Sequence, residues 1–280
     1  MLTSYVALVS ELPEATLPFA AVTQVAAAID KQVTRDFGPL WTVNATVAAF
    51  ARLEDVPLGY WKVMVRDSVG ISGVVGIHRT SLGEPVALVE YSTNWAQRAS
   101  HEVLETLADP SLNRLVPVTS QTAGVRVQML VEVCDPCQTK TYSVNGVDLC
   151  DFVTPNYFDP VGSGSVRYSF TGAVTEPQGI LSGGYLTFFN PADGKWYFDG
   201  DFGQGRALYY APAPQGAARS GLRVEIDRAQ RRHTARTRSG GTLRRVNPAR
   251  LQDAGSANSL DSRAARADSL RREIESWTRS

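Results

Sequence analysis

The chain has 280 residues, of which 43% are hydrophobic and 20% charged, so its length suffices for one large core or two modest domains. Its formal net charge is zero and no run of about 18 apolar residues occurs, which excludes a transmembrane helix and predicts no membrane partner. Three cysteines are too few for a disulfide scaffold, and no charged region precedes the apolar stretch near the N-terminus. These features predict a reducing, cytoplasmic setting without a signal peptide.

The first third of the chain alternates predicted strands with predicted helices. Residues 5–12 are rich in apolar and β-branched side chains and predict a strand. Residues 16–37 place apolar side chains every three or four positions, which predicts an amphipathic helix that the Gly-Pro pair at 38–39 ends. Four further segments are predicted as strands: 41–51, 60–67, a glycine-rich edge segment within 70–85 that ends near His78, and 85–92.

The fifth predicted strand is followed by a second amphipathic helix in the segment WAQRASHEVLETLADP (95–110). Asn94 or Ser100 is predicted to cap this helix, and Pro110 to end it, because the residue before a proline avoids the helical region. The centre of the helix reads His-Glu-Val-Leu-Glu, which differs at its last position from the His-Glu-x-x-His motif of zinc proteases.

The spacing within this motif predicts a metal site. His101 and Glu105 are four residues apart, so their side chains share one helix face about 6 Å apart and can bind one cation. Zinc accepts an imidazole nitrogen together with a carboxylate oxygen, and a third protein ligand leaves one position open for water. Glu102, next to the first ligand, is the expected general base that takes the proton from this water.

The order of the predicted elements resembles that of the zincin metalloproteases. The string SHEVLETLADP, followed by VEVCDPCQTKTYSVNGVDLCDFVTPNYF, is similar to a zincin-type family of bacterial and phage-associated proteins, over about residues 5–190. The resemblance implies an α+β fold with a twisted mixed sheet, a backing helix, a substrate-binding edge strand and an active-site helix. It also implies Zn²⁺ as cofactor, a peptide or protein as substrate, and a cytoplasmic or virion-associated location. The chain departs from well-studied metalloproteases at Glu105 and lacks a clear downstream Met-turn.

Three acidic residues are candidates for the third metal ligand. Glu132 is preferred, because a glutamate from a separate element completes the site in one large group of zincins. Asp109 lies about 12 Å along a straight helix from His101 and reaches the metal only if the helix breaks first. Asp135, just after the next predicted strand, is the remaining alternative.

Other residues have a chemical and a structural interpretation. His78 is either an oxyanion stabiliser at the cleft or a solvent-exposed histidine of the edge strand. Tyr157 is either a hydrogen-bond donor to the transition state or a packing aromatic. Cys134 and Cys137, in the sequence CDPC, are predicted to form a tight turn with partly buried thiols, although either thiol paired with Cys150 is an alternative.

The second half of the chain is predicted to be rich in strands. These strands are expected at 125–136, 140–155, 166–173, 183–190, 195–202 and 206–212, with hairpin turns at Asn145-Gly146 and Asp193-Gly194. The predicted domains are a zincin-like domain (1–155), a β-rich extension (156–212), an arginine-rich linker (213–259) and a terminal helix (260–280).

Charge divides the chain into an acidic body and a basic tail. Residues 216–280 contain fifteen arginines and seven acidic residues, a net charge of +8, so the preceding residues carry −8. The tail, mainly residues 216–250, is expected either to be solvated or to bind an acidic partner or nucleic acid. The sequence therefore predicts zinc-dependent hydrolysis of peptide or amide bonds, and the alternative is a non-catalytic structural or interaction protein, such as a phage-particle or assembly component.

Overall fold

In the computed structural model, residues 2–70, 75–158, 166–203, 205–211, 245–251 and 271 are described. The first sheet is mixed and has the strand order β2-β1-β3-β5-β4. Its strands are β1 (Ser4–Ser10), β2 (Ala45–Phe50), β3 (Tyr60–Arg66), β4 (Gly76–Ser81) and β5 (Glu84–Glu90). Strands β1, β2, β3 and β5 run parallel, whereas β4 is an antiparallel edge strand paired with β5. The predicted edge strand is therefore present, although it runs on to Ser81 and does not end near His78.

The segment predicted as one helix over 16–37 is divided in the structure. Helix α1 (Phe19–Lys31) passes into a wide π-helical turn (Gln32–Phe37), and a short helix α2 (Gly38–Trp41) follows. The helical conformation does not end at the Gly-Pro pair. Pro39 lies in the first turn of α2, where a backbone N–H would have no partner within the helix, so its missing N–H costs nothing.

The second predicted helix, α3 (Trp95–Ala108), is confirmed with nearly the expected limits. Asn94 occupies the N-cap position, although its side chain makes no capping hydrogen bond, and Asp109 follows the last helical residue. Ser100 lies inside the helix rather than at its start, so the prediction that it caps the helix is wrong.

Both long helices cover the same face of the first sheet. Side chains alternate between the two faces of a strand. One set of alternate residues joins the buried side chains of α1 and α3 in the main core: Val6, Leu8, Val63, Val65, Ala87 and Val89. Residues of the opposite face, Ile77, Leu88 and Met64, form a small separate cluster with Val69 from the loop after β3.

The second sheet is antiparallel, with the order β12-β11-β10-β7-β6. Its strands are β6 (Leu115–Thr119), β7 (Arg126–Leu130), β10 (Tyr185–Asn190), β11 (Lys195–Asp201) and β12 (Arg206–Ala211), while β8 (Thr141–Val144) and β9 (Val147–Cys150) form a separate hairpin. Because β10 pairs with β7, this sheet draws strands from both sides of the boundary predicted near residue 155.

Four segments differ from the sequence prediction. The strand expected at 41–51 begins only at Ala45, because Trp41 still belongs to α2. The strand expected at 125–136 stops at Leu130 and gives way to a 3-10 turn (Asp135–Cys137). The strand expected at 166–173 is only an isolated bridge between Ser169 and Val153, because the chain turns where the Thr171 amide and hydroxyl both donate to Asp151. Strand β6 was not predicted, since a proline lies at its centre, which only an edge strand tolerates.

Most of the basic tail and the predicted terminal helix lie outside the described residues. Residues 245–251 are described and pack on the second sheet, where the Val246 amide donates to the Leu208 carbonyl at 2.9 Å and Leu251 is buried. Among the helices that the structure describes, none is both long and apolar enough to cross a membrane.

Candidate metal site

Helix α3 carries three of the predicted site residues into the protein interior. It contacts β3, β4 and β5 on one side and β9 on another. Glu102 and Glu105 are buried, Glu105 completely, and the His101 side chain is 14% exposed. Burying ionisable groups is costly unless they pair with opposite charges or bind a cation. The arrangement of their partners therefore decides what this cluster does.

His101 lies between two buried carboxylates. Its Nε2 atom is 3.2 Å from Glu105 Oε1 and 3.4 Å from Asp135 Oδ1. One potential ligand atom from each of the three residues lies within 4.8 Å of the other two. Of the three acidic residues predicted as alternatives for the third ligand, Asp135 is the one that the fold brings to His101 and Glu105.

The 3-10 turn at Asp135–Cys137 explains why Asp135 is available. The Cys137 amide donates to the Cys134 carbonyl at 3.0 Å, which closes the turn, and the predicted tight turn at CDPC is thereby confirmed. The Cys134 amide donates to Glu105 Oε1 at 3.3 Å, so the start of the turn is joined directly to α3. Tyr185 at the start of β10 hydrogen-bonds the Asp135 side chain and orients it.

His78 reaches the same cluster from the edge strand. In the register of β4 and β5 it lies opposite Ala87, whose side chain faces the helices, so His78 also faces α3. His78 Nδ1 is 3.3 Å from Glu102 Oε2 and 3.5 Å from Glu105 Oε2. The histidine is only 1% exposed, so the interpretation of His78 as a solvent-exposed residue is wrong.

Glycine on the edge strand makes room for the Glu102 carboxylate. Gly76 lies on the same face of β4 as His78, and a Cβ atom there would collide with Glu102 Oε1. The Glu102 carboxylate is therefore held between the backbone of the edge strand and the His78 imidazole.

Electrostatic interactions within the cluster shift several pKa values. Burial and the neighbouring charge of Glu105 raise the pKa of Asp135 to about 8, although His101 and Tyr185 oppose this shift. Burial alone lowers the pKa of His101, but Glu105, Asp135 and Cys150 outweigh it and raise that pKa well above its ordinary value. Such shifts are typical of functional sites, where ionisable groups are held close together away from water.

Two of the three cysteines, Cys134 and Cys150, lie close to the His101 side chain. All three are buried and free. Cys150 Sγ is 3.9 Å from His101 Nδ1, and Cys134 Sγ lies close enough to Cys150 to form a second potential ligand group with His101. A hydrogen bond from Cys134, opposed by burial and aided by His101, lowers the pKa of Cys150 to about 7.

Three predicted candidates lie outside these ligand groups. Glu132 is buried, but it belongs to none of the potential ligand groups found among the described residues. Asp109 accepts a hydrogen bond from the Arg114 amide at 2.7 Å, which fixes the turn after α3. Tyr157 is buried in the core, where its ring packs edge-on against Phe158 at 5.2 Å.

The sequence did not predict that Tyr185 and Cys150 would lie beside Asp135 and His101. Tyr185 lies fifty positions beyond Asp135, and only the pairing of β10 with β7 brings it close. Cys150 meets His101 because β9 packs along α3. No family model, curated protein or solved structure matches this chain. The chemistry of the cluster is therefore the basis for the functional conclusion.

Proposed function

We propose that the chain binds a divalent transition metal, with zinc as the first choice, through His101, Glu105 and Asp135, and uses it to hydrolyse peptide or amide bonds. One observation supports this most directly. The distances from His101 Nε2 to the two carboxylate oxygens, 3.2 and 3.4 Å, are long for charge-assisted hydrogen bonds, which measure about 2.7–2.9 Å. They match the ligand-to-ligand edges of a zinc tetrahedron, about 3.3–3.4 Å for metal–ligand distances near 2.0–2.1 Å.

The architecture around the cluster supports the same proposal. A mixed five-stranded sheet with an antiparallel edge strand, and a helix carrying the metal-binding residues after the fifth strand, follow the pattern expected of a zincin-like domain. The donor set of one imidazole nitrogen and two carboxylate oxygens leaves a fourth tetrahedral position for water.

Glu102 is proposed as the general base. When bound, zinc lowers the pKa of its water towards neutrality and polarises the scissile carbonyl. Glu102 adjoins the first ligand in sequence, and its carboxylate is held in place by His78 at 3.3 Å. His78 positions this carboxylate and the neighbouring Glu105 for their separate roles.

A non-catalytic metal site is the second candidate, and burial favours it. Glu105 is completely buried and Asp135 is 2% exposed in its side chain, so the His101 side chain offers the main solvent contact of the three. A structural metal would join α3 to the turn before β8 and stabilise the fold without turnover.

Metal content tests the ligand assignment. The purified full chain is stripped of metal, reloaded with Zn²⁺ and examined by elemental analysis. We expect His101→Ala and Asp135→Asn each to lose about one equivalent of zinc, because each removes a ligand. Glu132→Gln is the matched control, since it changes a buried acid outside the cluster, and it should retain all of the zinc. Wild-type protein that keeps less than a tenth of an equivalent contradicts the proposal.

Activity separates the catalytic from the structural candidate. We expect Glu102→Gln to abolish cleavage of an unstructured protein substrate while keeping the zinc bound by His101, Glu105 and Asp135 and the melting temperature. Wild-type protein that binds zinc, is stabilised by it, and cleaves neither peptides nor simple amides would support the non-catalytic metal site instead.

A further inference from the structure

We infer that the cluster binds two divalent cations rather than one, with the Glu105 carboxylate bridging them and with His78 and Glu102 completing the second site. The inference extends the proposed function and rests on it for the first site, formed by His101, Glu105 and Asp135. The second site takes the same chemical class of ligand, a divalent transition metal such as Zn²⁺ or Mn²⁺, because its donors are again one imidazole nitrogen and two carboxylate oxygens.

The two oxygens of Glu105 point to different partners. Oε1 lies 3.2 Å from His101 Nε2, whereas Oε2 lies 3.5 Å from His78 Nδ1. A carboxylate that presents one oxygen to each of two ligand groups has the arrangement of a bridging ligand. In enzymes with two metals, the ions lie about 3.5–4 Å apart, a separation that such a bridge spans.

The ligand group of His78, Glu102 and Glu105 repeats the geometry of the group formed by His101, Glu105 and Asp135. His78 Nδ1 is 3.3 Å from Glu102 Oε2 and 3.5 Å from Glu105 Oε2, again near the length of a tetrahedral edge and longer than a strong ion pair. One ligand atom from each of the three residues lies within 4.8 Å of the others, and all three residues are buried.

The two nitrogens of the His78 ring have different surroundings. Its Nε2 atom is buried and has no hydrogen-bond partner among the residues that the structure describes. An imidazole that is nine-tenths buried or more normally has both nitrogens satisfied. The second ion would bind Nδ1, the nitrogen that faces the two glutamates, so the inference rests on the position of Nδ1 and not on Nε2.

The charges of the carboxylates are compatible with two cations. The ligand groups together contain three carboxylates, from Glu102, Glu105 and Asp135, and two imidazoles. One divalent cation leaves one negative charge on three ionised carboxylates, and either a second cation or a protonated His78 would compensate it. Two divalent cations with one hydroxide would balance three ionised carboxylates completely, and such a hydroxide would be the nucleophile of the proposed hydrolysis.

The role of Glu102 depends on how many ions are bound. With one ion, its carboxylate is free to accept a proton, as proposed above. With two ions, Glu102 would be a ligand, and the second cation would lower the pKa of the water further, so that solvent could take the proton. Because Glu102→Gln abolishes hydrolysis in both cases, counting metals is the measurement that distinguishes them.

Metal stoichiometry of the full chain provides the test. Metal-free protein is titrated with Mn²⁺, bound ions are counted after gel filtration, and electron paramagnetic resonance spectra are recorded at one and two equivalents. We expect two ions per chain, with an exchange-coupled signal appearing at the second equivalent. His78→Gln should bind one ion and lose the coupled signal, and Thr80→Ala, an exposed change on the same strand, should still bind two.

Each outcome has a separate meaning. If wild-type protein binds a single ion and His78→Gln does not change this, the second site is overturned and the proposed function stands. His78 would then be a counter-ion for the two glutamates. No bound ion overturns both proposals. If His78→Gln does not fold, as judged by circular dichroism, the isosteric Glu102→Gln replaces it and should likewise reduce two bound ions to one.

Discussion

At the scale of single residues, the position of the Glu102 carboxylate depends on an absent side chain. Gly76 lies against the glutamate, with the site of a Cβ atom only 3.1 Å from Glu102 Cδ and closer still to Oε1. The far end of a glutamate side chain can move, whereas the strand backbone is held by its pairing with β5. An added methyl group would therefore displace the carboxylate rather than the strand.

Replacing this glycine separates the placement of Glu102 from the stability of the fold. We expect Gly76→Ala to lower kcat by about 10²-fold, because a displacement of roughly 1 Å can cost that much in rate. Zinc bound by His101, Glu105 and Asp135 should remain. Steady-state hydrolysis and thermal melting measure the two effects, and Thr80→Ala on the same strand serves as the control. A normal kcat in Gly76→Ala would show that Gly76 does not set the position that the Glu102 carboxylate needs.

The sequence predicts some site residues far better than others, and the reason is the range of the interactions. His101 and Glu105 are recognisable because their spacing on one helix alone places them together. The burial of His78 depends on the register of β4 against β5, since a shift of one residue reverses the face. Asp135 rather than Glu132 lies near His101 because β7 ends at Leu130. The sequence does not predict this end, since apolar residues continue beyond it.

At the scale of elements, the cluster is held together by the junction of α3 with the β8–β9 hairpin. The Ser100 hydroxyl accepts a hydrogen bond from the Cys150 amide at 2.8 Å and donates to the Gln97 carbonyl at 2.9 Å. Ser100 and Cys150 are both completely buried. This junction places Cys150 beside the His101 ring.

Removal of the Ser100 hydroxyl should weaken this junction measurably. Ser100→Ala leaves the buried Cys150 amide without its acceptor, which costs about 1–3 kcal/mol in the free energy of unfolding. Urea denaturation followed by circular dichroism measures the loss, with Ser143→Ala at an exposed position of β8 as the matched control. An unchanged unfolding free energy would show that another group or water replaces the hydroxyl.

The order of elements in the first sheet was predictable, whereas the second sheet was predictable only in part. Strands β1 to β5 and helix α3 are marked by apolar periodicity and by turns that interrupt it. Strand β6 lacks such a signal because Pro117 interrupts it, and only its place at the edge of the sheet tolerates this proline. The 166–173 segment has the composition of a strand, yet Asp151 bonds its backbone and bends it.

At the scale of the whole molecule, the main core crosses the predicted domain boundary. Buried side chains of α1 and α3 share one core with residues of the second sheet and of the β8–β9 hairpin. The described part of the tail joins this core as well, since Leu251 is 7% exposed and Tyr209 forms a backbone bridge with Arg245. Residues 245–251, which lie beyond the last strand, therefore pack against the folded body.

Shortened chains test where the folded body ends. A chain of residues 1–251 retains the contacts of Val246 and Leu251, so we expect its melting temperature and zinc content to equal those of the full chain. A chain of residues 1–211 loses these contacts and should be less stable by about 2 kcal/mol or more, the contribution of one buried leucine side chain. Leu251→Ala in the full chain is the matched control, because it should reproduce most of this loss without removing any charge. Equal stability of the 1–211 and 1–251 chains would mean that residues 245–251 contribute nothing to the fold, and the whole basic region would then be available to an acidic partner.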